Sequence, residues 1–149
     1  MLLVLGETPY AEGAGDLRAV SLSETDVRLI DSVANGSRQV VVVLLCGRPL
    51  AIPPPTLEKI DALLVAWLPG TEGAGVTDAL FGLSAVTGRL SFSWPRDTSQ
   101  PLRSQRGGGD RSTAKGGEAA GGEAAPGGET AQALFPRGFG LDLVPVPVS

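Results

Sequence analysis

The feature that most constrains this chain is the uninterrupted apolar run Val40-Val41-Val42-Val43-Leu44-Leu45. A half-exposed strand alternates apolar and polar residues, and this run does not alternate. It therefore predicts a strand covered on both faces, the usual condition of a central strand in a parallel sheet. Leu2–Leu5 and Ala62–Trp67 are further apolar runs and predict two more buried strands. Between them lie helix signals. Ser23 before Glu24-Thr25-Asp26 reads as an N-cap with an acidic first turn. Val27, Ile30 and Val33 or Ala34 repeat at helical spacing up to Asn35-Gly36. Pro53-Pro54-Pro55 leads into a short helix near 56–60, and a third helix runs through Val76 to Phe81 with Gly82 as its stop. Gly88–Pro95 reads as a last, edge-like strand.

Alternating strands and helices predict an α/β fold with a mainly parallel sheet over residues 1–102. In such sheets ligands gather at the carboxyl ends of the strands. Here that edge collects the loops 6–16, 46–49 and 68–75, so it is the expected site.

Composition narrows the chemistry. The chain has 149 residues, no histidine and one cysteine, Cys46. Imidazole acid–base chemistry, His-based triads, zinc sites of the usual kind and internal disulfides are excluded. Acid–base work must fall to Asp, Glu, Lys, Tyr or Cys, and no metal or cofactor is expected. A net charge of −4 and the lack of a basic stripe with interleaved aromatics argue against nucleic acid. No apolar run is long enough for a membrane span. The start has neither the basic flank nor the cleavage site of a signal peptide, and localisation is left open. An opening directly in a strand suggests an N-terminally incomplete domain.

Residues 103–131 break the pattern. They carry an imperfect GGEAA repeat at Gly116–Ala120 and Gly121–Ala125, with almost no large apolar side chain. Such a segment cannot bury enough surface to offset its ordering entropy, so a disordered insertion is expected. Residues 132–143 return to apolar, turn-rich sequence, and 144–149 form an extended tail.

Four motifs carry a family resemblance. They are Gly6-Glu7-Thr8-Pro9-Tyr10-Ala11-Glu12 with Gly15-Asp16; Gly47-Arg48-Pro49; the long stretch from Asp61 through Trp67-Leu68-Pro69-Gly70-Thr71-Glu72-Gly73 to Thr87-Gly88-Arg89-Leu90; and Leu134-Phe135-Pro136-Arg137-Gly138-Phe139-Gly140-Leu141. In this order they resemble the C-terminal α/β sandwich domain of glycoside hydrolase family 3, most closely its plant-type β-D-glucan exohydrolases and β-glucosidases. The resemblance covers 1–101 and 133–142 and implies a flavodoxin-like, three-layer α/β/α sandwich. It also implies a retaining, exo-acting enzyme on terminal β-D-glucosyl residues of β-glucosides or β-glucan oligosaccharides. Its nucleophile would lie on a barrel domain that this chain lacks, so the chain alone should be inactive.

By the same resemblance Glu12 is the acid/base, with Glu7 as the fallback, and Tyr10 and Arg48 are candidate sugar contacts. The competing readings are structural: Glu7 as a hydrogen-bonding group within its own loop, and Arg48 as a residue that ties loops together by hydrogen bonds. Trp67 and Trp94 could stack on sugar or pack internally. A non-catalytic sugar-binding or interaction domain of the same ancestry is the alternative function. A nucleotide-binding module is disfavoured, because Gly70–Gly75 lacks the Lys and Ser/Thr of a phosphate loop and carries Glu72.

Overall fold

A computed structural model describes residues 1–11, 13–17, 20–98 and 133–144. The sequence-predicted insertion and the end of the tail lie outside the described residues.

Three strands form a parallel sheet in the order β1 (Leu2–Gly6), β2 (Val41–Leu45), β3 (Ala62–Val65). Register pairs Leu3 with Val42 and Leu5 with Leu44, then Val42 with Leu63 and Leu44 with Val65. Side chains alternate along a strand, so these six residues share one face. Helices α1 (Glu24–Gly36) and α2 (Pro54–Leu57) are packed against that face through Val27, Ile30, Val33 and Leu57. The α/β fold expected from the alternation of elements is the one observed.

Val42, Val43 and Leu44 are all buried, so β2 is covered on both faces as its unbroken run requires. β1 is different. Leu5 is buried, while Leu2 and Val4 on the opposite face are exposed. The expected buried strand is here a half-covered edge strand, because α1 and α2 cover only the face bearing Leu3 and Leu5. β3 is likewise only partly covered.

α1 starts where the cap signal lies. The Asp26 amide donates to Ser23 Oγ at 3.1 Å, satisfying one of the orphan donors of the first turn. A third helix, α3 (Gly73–Leu80), follows the turn around Gly70 and is continued by Phe81 before Gly82, whose φ is +71°.

Gly88–Pro95 does not form the expected strand. Residues 86–95 meet 134–143 only at separate points. Trp94 and Phe135 make an isolated antiparallel bridge, Val86 and Leu143 make another, and between them Gly138 N donates to Leu90 O at 2.8 Å. Pro136 has no N–H to offer a ladder and Gly138 turns the chain at φ +84°, so continuous pairing is not available. Trp94 itself is fully buried, with Nε1 donating to Leu50 O at 2.9 Å.

Candidate functional site

Because all three strands run the same way, the loops after β1, β2 and β3 leave from one edge. Their first residues are tied together there. Glu7 N donates to Leu45 O at 2.9 Å, and Cys46 N donates to Trp67 O at 3.1 Å. Trp67 holds φ at +55°, the left-handed region that a bulky side chain seldom adopts, at the point where β3 turns into its loop.

Arg48 organises this edge. Its Nε donates to Glu7 Oε1 at 2.7 Å, and its Nη2 lies 2.6 Å from the same oxygen. Its Nη1 donates to the Gly15 carbonyl. The guanidinium carbon sits 3.9 Å from the centre of the Tyr10 ring, a cation–π stack. The Arg48 and Glu7 side chains retain only 17% and 15% of their exposure, so this is a mostly desolvated, charge-assisted pair. Glu7 Oε2 is buried and has no hydrogen-bond partner among the described residues.

Two glycines permit the cluster. A Cβ on Gly15 would lie 2.5 Å from Tyr10 Cδ2 and 2.8 Å from the Ala11 carbonyl. A Cβ on Gly47 would lie 2.8 Å from the Tyr10 hydroxyl. Tyr10 thus lies across both loops, and any side chain at either position would push it away.

Cys46 lies beneath, fully buried. Burial pushes its thiol up to about 11, a backbone hydrogen bond at Arg48 opposes the rise, and Glu7 adds to it. At neutral pH it is an inert thiol rather than a nucleophile. On the outer side, Tyr10, Ala11, Gly15, Asp16 and Arg48 line an open depression.

Three of the four sequence-derived site residues, Glu7, Tyr10 and Arg48, therefore meet at one place. Glu12 lies outside the described residues. Trp94 is enclosed in the core, and Trp67 packs on Phe92 and Trp94, with ring centres 5.7 and 6.1 Å away. Among the described residues no group of three His, Cys, Asp or Glu side chains is arranged to hold a metal. The residue pairing that sequence reasoning missed is Glu7 with Arg48. Each residue was visible in its own motif, but nothing in the linear text joins positions 41 apart.

Comparison with known proteins gives this edge its context. The model of the glycosyl hydrolase family 3 C-terminal domain matches residues 1–143. The chain belongs to glycosyl hydrolase family 3. Among curated relatives, this family 3 domain is 33% identical to a lysosomal β-glucosidase of Dictyostelium discoideum over 66% of its own length. It is similar in structure to an exo-1,3/1,4-β-glucanase of a Pseudoalteromonas species, with a TM-score of 0.68, 32% identity and 99% of the chain covered. A β-glucosidase of Listeria innocua matches with a TM-score of 0.67 and 30% identity over 95% of the chain. The domain spans only 12% of the Dictyostelium protein, 17% of the Pseudoalteromonas chain and 20% of the Listeria chain.

Proposed function

We propose that this domain serves a retaining, exo-acting β-glucosidase or β-glucan exohydrolase that removes terminal, non-reducing β-D-glucosyl residues, and that Glu12 is its acid/base. The observation that carries the reading is the family match over 1–143, together with relatives whose names are β-glucosidase and exo-β-glucanase. A retaining mechanism uses two carboxyls roughly 5–5.5 Å apart, one attacking the anomeric carbon and the other protonating the leaving oxygen and then activating water. This chain would supply the second, and a family 3 barrel domain the first.

The geometry speaks against Glu7 as the proton donor. Glu7 Oε1 already accepts from Arg48, and its Oε2 is enclosed. Tyr10 is 44% exposed at the depression and is suited to contact sugar. Arg48 has donors committed within the chain and is better suited to holding the loop.

The test replaces the matching stretch of the Listeria β-glucosidase with residues 1–143. The 149-residue chain alone should release no aglycone from aryl β-glucosides, while the chimera should. Glu12→Gln in the chimera should lower kcat by about 10²–10⁴-fold for poor leaving groups and far less for activated ones. A Glu12→Gln chimera at full rate on poor leaving groups would remove Glu12 from the chemistry. Good turnover by the isolated chain would overturn the need for a barrel partner.

A further inference from the structure

We propose that Arg48 is a positioning residue, whose guanidinium latches the Glu7–Asp16 loop in one shape and so orients the acid/base carried on it. The inference rests on the reading of Glu12 as that acid/base. One planar group reaches both ends of the loop, Glu7 at its start and Gly15 near its end, and stacks on Tyr10 between them. The grip therefore falls near both ends of the loop and on the Tyr10 ring between them. Internal hydrogen bonds complete the closure, from Gly15 N to Ala11 O at 2.8 Å and from Asp16 N to Gly13 O at 3.1 Å.

The anchor is itself rigid. Arg48 follows the buried Cys46 and precedes Leu50, whose carbonyl is held by the Trp94 indole, and Ala51, whose amide donates to Val20 O at 2.9 Å. The loop is therefore referred to the sheet and not to solvent. The close-fitting glycines at 15 and 47 leave no slack around Tyr10. Lysine would substitute only in part, because a single ammonium has neither the planar fork nor the stacking face. Orientation of this kind matters, since displacement of a catalytic group by about 1 Å can lower rate by ~10²-fold.

The latch is tested in the 149-residue chain by amide hydrogen exchange. Arg48→Ala should speed exchange at Gly15, Asp16 and Leu17 at least tenfold more than at Val42–Leu44, with Arg48→Lys intermediate. Guanidinium ion at sub-denaturing concentration should restore part of the loss in Arg48→Ala, and sodium at equal ionic strength should not. Equal acceleration at the loop and at β2, or none at the loop, overturns the latch. Should Arg48→Ala fail to fold, Arg48→Lys and Glu7→Gln carry the same comparison.

The positioning role is tested in the chimera. Arg48→Ala should reproduce the leaving-group dependence of Glu12→Gln in kcat, with KM changed less. A loss equal for all leaving groups overturns positioning while leaving Glu12 as the acid/base. Full rate in Glu12→Gln overturns the acid/base reading and with it the catalytic meaning of the latch, which the exchange data then judge as a structural device alone.

Discussion

Trp94→Phe isolates one bond that ties the candidate site to the rest of the domain. Trp94 is 1% exposed, and its Nε1 is the partner the structure gives the Leu50 carbonyl, at 2.9 Å. Phenylalanine keeps an aromatic body but cannot donate. Leaving a buried carbonyl without its partner costs about 1–3 kcal/mol. The missing part of the indole leaves a void of roughly a few tens of Å³, and at about 24 cal/mol per Å³ this adds roughly 1 kcal/mol. The combined loss is about 2–4 kcal/mol, a large share of the ~5–15 kcal/mol that holds a domain folded. Urea unfolding followed by far-UV circular dichroism measures it, with the slope against denaturant expected to stay constant. Because Leu50 lies two residues beyond Arg48, exchange at the Ala51 amide should also rise more than at Val42–Leu44. A loss under about 1 kcal/mol at unchanged slope would refute the reasoning. The indole bond would then not be what fixes the segment carrying Arg48.

Two further outcomes follow from single side chains. Ser23→Ala should lower stability by about 1 kcal/mol in the same urea assay, since it removes the cap that accepts the Asp26 amide at 3.1 Å; no change would mean that water replaces the hydroxyl. Cys46, raised to about 11 in the fold from 9.0, keeps its proton through a range where the unfolded chain has lost its own. The unfolded state then binds fewer protons, so stability falls as pH rises from about 9 to about 11. The loss attributable to this thiol is roughly 2–3 kcal/mol. Cys46→Ala should remove that part of the slope, and parallel curves for the two proteins would show that the thiol titrates normally.

Much of the fold was legible because it rests on local or periodic physics. Val40–Leu45, unbroken and rich in β-branched residues, fits a strand covered on both faces, and Ser23 with its acidic successors fits a helix start. Periodicity cannot say how much lies over a neighbouring strand, however. Leu2 and Val4 look as buried as Val42 in the text and are exposed in the fold, because what covers a strand comes from elsewhere in the chain. Gly88–Pro95 misled for a related reason. Its aromatic and apolar residues suit a strand, but its partner segment carries Pro136 and Gly138, and a strand exists only where both partners can pair. Of the candidate site, the residue types could be read from their motifs, whereas the grip of Arg48 on Glu7 could not.

By itself, then, the order of residues determined the parallel α/β architecture, the edge at which its loops gather, and the exclusion of imidazole chemistry, because each follows from residue type and short-range spacing. Tertiary structure alone decided that Arg48 meets Glu7, Gly15 and Tyr10, and that Trp94 secures Leu50. Those contacts join residues 33 to 44 positions apart. No local preference encodes them: they arise when parallel strands carry distant loops to one edge, where a desolvated charge must find its partner.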